Sequence, residues 1–153
     1  MDIDLVVDIR KNQTRALADL LGAEFYADAV TMDEALKFGR PFNIIHYKST
    51  YKFDIFPLLP AAFYRKQFER RQIAPTDSLA AEEPGFFVAT AEDTILAKLA
   101  WFRAGGETSE RQWGDMKGIL LIQGSRLDFD YMKLWAPELG VADLLEKLLH
   151  DER

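Results

Sequence analysis

Cysteine is missing from the 153 residues, which excludes disulfides, thiolate nucleophiles and cysteine-ligated zinc. Histidine is nearly missing: His46 and His150 are the two in the chain, too few and too isolated for a histidine metal centre. No apolar run approaches the ~20 residues that cross a bilayer, and the opening is acidic rather than the basic start of a secretory signal. Basic charge is in deficit. Nineteen Lys+Arg against 25 Asp+Glu leave a net charge of -6, so a general grip on nucleic acid or an anionic membrane is excluded and any phosphate must be met locally. Neither an internal repeat nor a low-complexity tract occurs. The expectation is a soluble, cytoplasmic protein with no membrane partner.

What is present is 48% hydrophobic residues in a length typical of one domain, enough apolar surface for a real core. Positions 2 to 9 alternate: Asp2, Asp4, Val6 and Asp8 point one way, Ile3, Leu5, Val7 and Ile9 the other. That is the period of a strand with one apolar and one acidic face. Asn12 is placed to cap a helix through Leu21 with Gly22 as its stop, and Thr31 to begin a second helix ending near Gly39. Two aromatic and β-branched runs around Lys48-Ser49-Thr50 predict a β-hairpin over FNIIHYKSTYKFDIF. Ala61 to Arg71 reads as helical, and Ala74 to Gly85, bounded by proline and glycine, as a loop or subdomain junction.

Thereafter the texture becomes helical. Thr90 to Asp93 and Ser109 to Gln112 each resemble a capping box, opening runs closed by Gly105 and Gly124. A third helix follows Asp128, and a fourth runs from Val141 to the end. The predicted class is α+β: a mixed sheet with flanking helices over 1–74, a connecting loop or strand over 75–89, and a helical half over 90–153, packed as one compact unit.

Asp54, in the apolar run Tyr51 to Phe56, needs a reason. A carboxylate taken from water usually pairs, neutralises or binds a cation. Were its strand to lie beside the first, Asp2, Asp4 and Asp54 would converge from one sheet face. Such oxygen ligands suit hard cations, Mg²⁺ or Mn²⁺, and a pair of such ions activates an attacking oxygen and stabilises a leaving one in nucleotidyl transfer. Set against this, Asp-x-Asp is a common string, and two acids near a chain end are often merely solvated.

DIDLVVDIR resembles the second motif of the DNA polymerase beta-type nucleotidyltransferase fold, and YKFDIF the later strand that supplies its third carboxylate. ATAEDTILAKLAWFRAGGETSERQWGDMKGIL is similar to the corresponding segment of small bacterial nucleotidyltransferase-like proteins related to the AbiEii abortive-infection toxins. The resemblance covers nearly the whole chain. It implies transfer of a nucleoside monophosphate from a nucleoside triphosphate to a hydroxyl acceptor, RNA or protein, with an antitoxin as a further partner. Asp2, Asp4 and Asp54 are then the metal ligands, Asp54 also the base for the incoming hydroxyl, and Lys98 with Asp115 the pair that meets nucleotide phosphate.

One element of that family is not found: the Gly-Gly or Gly-Ser turn ahead of the Asp-x-Asp strand that holds triphosphate through backbone amides. Gly105-Gly106 reads instead as a helix stop. Two alternatives follow. Either the frame begins upstream, or the chain keeps the fold with an incomplete site and works as a binding or oligomerisation module. For a shortened frame the expectation is a first strand in the sheet interior with its acidic face uncovered, a homo-oligomer, and no transfer by the 153-residue form.

Two signals are weaker. Lys98 falls in an apolar helical arc with Ile95, Leu99, Trp101 and Phe102, which predicts a largely buried ammonium facing Asp115. The cluster Arg65, Lys66, Arg70 and Arg71 reads as a solvated helix face.

Overall fold

The computed structural model describes residues 2–74 and 85–151; all of the predicted junction Ala74 to Gly85 but its two end residues lies outside them, as does the side chain of Asp2. The chain divides into two compact units, Met1–Arg65 and Lys66–Arg153.

In the first unit the alternating opening forms strand β1 (Asp2–Val7), followed by helix α1 (Thr14–Leu21), the short strand β2 (Phe25–Tyr26), helix α2 (Ala29–Lys37), strand β3 (Phe42–His46) and strand β4 (Lys52–Pro57). The sheet order is β1-β4-β3-β2. β1 runs parallel to β4, while β3 is antiparallel to both of its neighbours, so the sheet is mixed. The predicted hairpin is β3–β4, closed by His46 N–H to Tyr51 O (3.0 Å) and Thr50 N–H to His46 O (2.8 Å). In its turn the Ser49 hydroxyl lies 2.7 Å from His46 Nδ1.

One face of this sheet is built for burial. Phe42, Ile44 and Ile55 share a core with Met32 and Ala35 of α2, flanked by Leu17, Ala18 and Leu21 of α1 and by Val7, Phe25 and Phe53. Each large side chain fully removed from water contributes roughly 1.5–3 kcal/mol. The buried Thr14 hydroxyl donates to Asp33 (2.7 Å), tying α1 to α2.

Three local expectations are corrected. Asn12 caps nothing: a 3-10 turn (Lys11–Gln13) precedes α1, with Gln13 accepting from the Arg10 amide. Helix α2 begins before Thr31, because the Asp28 carboxylate accepts both the Thr31 amide (2.8 Å) and the Thr31 hydroxyl (2.7 Å). And β1 is an edge strand, not an interior one: among the described residues it pairs with β4 alone.

Helix α3 (Ala62–Arg70) carries the chain into the second unit, where strands β5 (Gln72–Ala74) and β6 (Phe86–Val88) form a two-stranded antiparallel ribbon. Helices α4 (Ala91–Ala104), α5 (Glu110–Gln123), α6 (Phe129–Trp135) and α7 (Ala142–His150) follow. Their starts obey the sequence. Thr90 accepts the Asp93 amide, Ser109 the Gln112 amide and Asp128 the Tyr131 amide, and Gly105 and Gly124 end α4 and α5. Helix α4 touches each of α5, α6 and α7, and its Ile95, Leu96 and Leu99 are fully buried. No helix among the described residues is long and apolar enough to cross a membrane.

Candidate functional site

The opposite face of the first unit's sheet carries the carboxylates. Parallel pairing sets Asp2 against Lys52, Asp4 against Asp54 and Val6 against Phe56, and the antiparallel side sets Asn43 against Asp54. Because side chains alternate along a strand, Asn43, Asp54 and Asp4 form one transverse row on the face away from the core. Asp4 and Asn43 are exposed, and the Asp54 side chain keeps 21% of its surface. Neighbouring strands lie ~4.8 Å apart, so Asp4 and Asp54 are side by side, a like-charge pair that costs a few tenths to ~1 kcal/mol when nothing offsets it.

An offset is present. Lys52, two residues before Asp54 and therefore on the same face, places its ammonium 3.0 Å from Asp54 Oδ2. The string Tyr51 to Phe56 holds this i,i+2 signal, and sequence reasoning passed over it. Asp4, Asp54 and Asn43 present carboxylate and amide oxygens, the donors that hard cations take, from three adjacent strands. Among the described residues no group of three or more acidic, histidine or cysteine side chains is disposed to hold a metal. The backbone of Asp2 is one register step further along the same face.

Lys98 and Asp115 belong to the second unit, where the structure brings them together: the ammonium of α4 is 3.1 Å from Asp115 Oδ2 of α5. The expected burial is not found. Lys98 keeps 32% and Asp115 45% of their side-chain surface, and neighbouring Trp101 is exposed as well. The buried arc of α4 is Ile95, Leu99 and Phe102; Lys98 lies outside it, part-exposed and paired with Asp115.

The second unit also holds a polar cluster that sequence reasoning missed. Asp93 is completely buried and accepts from the Thr90 hydroxyl (2.7 Å), the Tyr131 hydroxyl (2.6 Å) and Arg70 Nε (3.3 Å). The Arg70 guanidinium lies 3.8 Å from the centre of the Tyr131 ring and 3.6 Å from Glu92 Oε2, while Glu92 Oε1 accepts the Asp128 amide (3.0 Å). Burial, then the bond to Asp93, pushes the Tyr131 hydroxyl well above the usual tyrosine range. For Glu92 burial pushes upward, but the Asp128 amide and other donors, with Arg70, hold it below the ordinary carboxylate value. Every buried side-chain polar atom among the described residues has a partner, so the cluster is a closed structural network.

The network also corrects the solvated reading of the basic cluster in part. Arg70 is drawn into it, and Arg71 stacks on the Phe68 and Phe87 rings. Lys66 does face water, beside Glu69. The capping-box pattern was the one available signal, since it located Asp93 at a helix start without revealing its distant partners.

Comparison with protein-family models, curated proteins and solved structures gives no match.

Proposed function

We propose that the chain is a metal-dependent nucleotidyltransferase-like protein with the nucleotidyltransferase fold, acting on a nucleoside triphosphate and a hydroxyl acceptor. The observation that supports this reading best is the in-register pairing of Asp4 with Asp54 on adjacent parallel strands, on the sheet face opposite the core. Asp2, Asp4 and Asp54 would hold Mg²⁺ or Mn²⁺; such an ion, when bound, neutralises phosphate charge and acidifies an attacking hydroxyl. Asp54 is then placed to accept the hydroxyl proton and Asn43 to orient it by hydrogen bonding. The resemblance assigns Lys98 to phosphate contact, with Asp115 orienting its ammonium.

A second reading has an observation of its own. The Lys52–Asp54 ion pair neutralises the third carboxylate, as in a fold member that has lost catalysis and binds a partner protein or its own copy.

Thermal unfolding with and without Mg²⁺ or Mn²⁺ tests the cation site, because a ligand bound only by the native state raises Tm. The wild type is expected to be stabilised and Asp54→Asn not; equal shifts in both would refute the site. Incubation with labelled nucleoside triphosphates then separates the two readings: transfer abolished by Asp54→Asn supports the enzyme, and cation binding without transfer supports the silent module.

A further inference from the structure

The β5–β6 ribbon of the second unit leaves its large apolar side chains in water: Ile73 is 65% exposed, Phe86 71%, Phe87 62% and Val88 43%. Alternation puts Phe86 and Val88 on one face, and register puts Phe87 with Ile73 on the other, so neither face is covered. Arg71 stacks on the Phe87 ring without enclosing it. Both outer edges of the ribbon are unpaired among the described residues. A two-stranded ribbon is marginal in water, and further strands are what make one stable.

A second open edge shows what protection looks like. β1 is an edge strand too, but it carries Asp4, with Asp8 just beyond it, and a copy laid along it would set like charges together. Neither β5 nor β6 contains a charged residue, so a copy meets no such repulsion there. We propose that two copies of the chain pair β6 with β6, antiparallel about a two-fold axis through Phe87, to form a four-stranded sheet. In that register Phe87 faces its own counterpart, and Phe86 faces Val88 of the second copy, an aromatic against a β-branched side chain as antiparallel strands favour. The inference is independent of the cation-binding reading, which concerns the first unit.

Area sets the strength. At ~200 Å² for a whole phenylalanine, the four exposed side chains offer roughly 450 Å² of apolar surface per copy. The ~900 Å² of a pair falls below the ~1,200–2,000 Å² of stable interfaces and in the range of transient ones. The dimer therefore forms at ~0.1–1 mM chain rather than at nanomolar concentrations.

The test uses the full chain. In sedimentation equilibrium from ~10 μM to ~1 mM, the wild type is expected to rise from 17.5 kDa toward twice that mass, and Phe87→Lys to stay at 17.5 kDa. Circular dichroism checks folding, and Phe86→Lys repeats the comparison if Phe87→Lys folds poorly. Because the chain has no cysteine, Phe87→Cys places a single thiol on the two-fold axis. Opposed Cα atoms of antiparallel strands stand ~4.5–5.5 Å apart, within the ~4.4–6.8 Å that a disulfide spans. Mild oxidation should therefore cross-link Phe87→Cys at least about tenfold faster than Leu121→Cys, a comparably exposed position on α5. A wild type that stays monomeric overturns the proposal. The rate at which Phe87→Cys reacts with a small thiol reagent then separates a ribbon covered by its own chain, which reacts slowly, from one open to a different partner. A dimer that persists in Phe87→Lys, or equal cross-linking of Phe87→Cys and Leu121→Cys, overturns this surface as the site of pairing.

Discussion

Replacing Tyr131 by Phe removes one hydroxyl and keeps the ring against which Arg70 stacks. The lost bond is the 2.6 Å contact to Asp93, whose carboxylate is fully buried and keeps its Thr90 and Arg70 partners. A hydrogen bond to a charged group contributes ~1.5–3 kcal/mol. Tyr131 is only part-buried, so about 2 kcal/mol is expected, or roughly 10 °C in Tm for a unit of this size. All three tryptophans, Trp101, Trp113 and Trp135, lie in the second unit, so their fluorescence during urea unfolding reads that unit alone.

The same variant carries a pH signature. The folded-state pKa of Tyr131 is raised above the ordinary tyrosine value of about 10 by burial and by the bond to Asp93. Its contribution is therefore fully present below about pH 10, where folded and unfolded states both keep the proton. It is lost as pH rises from there toward the folded value, because the unfolded chain releases the proton first. Wild-type stability should fall more steeply than that of Tyr131→Phe above pH 10, by at most ~1.4 kcal/mol per pH unit and by less after solvent screening of a part-exposed ring. A destabilisation below ~0.5 kcal/mol at pH 7, against the ~1.5–3 expected of a charged hydrogen bond, would refute the energetic reasoning. So would parallel pH profiles for the two proteins.

Lys98→Met should change the unfolding free energy of the second unit in urea little, by less than ~1 kcal/mol, because its ion pair with Asp115 is part-exposed and Met keeps the apolar stem. A loss above ~2 kcal/mol would show a structural role that exposed pairs do not have. In the first unit Met32→Ala empties a side chain that is 1% exposed in the α2–sheet core and should cost ~2–5 kcal/mol. Amide hydrogen exchange along β3 and β4 should accelerate accordingly, and unchanged protection there would place the core elsewhere.

How much was legible follows from how far each signal reaches. Thr90, Ser109 and Asp128 cap their helices through bonds to residues three positions on, so a local pattern found them. The β3–β4 hairpin is likewise local, its two strands separated by a short polar turn. At α2 two cap-competent residues compete within four positions, and Asp28 wins because its carboxylate reaches two donors of Thr31 at once. The strand β5, Gln72–Ala74, has no alternation to announce it and exists by pairing with Phe86–Val88. The face shared by Asp4 and Asp54 was readable from parity, but their register depends on a parallel pairing that no short window contains. Two of the partners of Asp93, Arg70 and Tyr131, stand 23 and 38 residues away in sequence, and burial could not be assigned to an aspartate that looked like an ordinary cap residue.

The parallel pairing of β1 with β4 also orders events during synthesis. Asp4 meets Asp54, so the first strand is made 50 residues before the strand it docks on, and at ribosomal speeds of ~5–20 residues per second it waits for several seconds. The β3–β4 hairpin, whose contacts are local, forms within microseconds once made, and only then does a template for β1 exist. During the wait β1 is an apolar strand without a partner, the kind of segment that pairs with the wrong chain. Its alternating aspartates act as gatekeepers against that fate. The same strand whose Asp4 stands beside Asp54 in the finished sheet thus carries its own protection until its neighbour arrives.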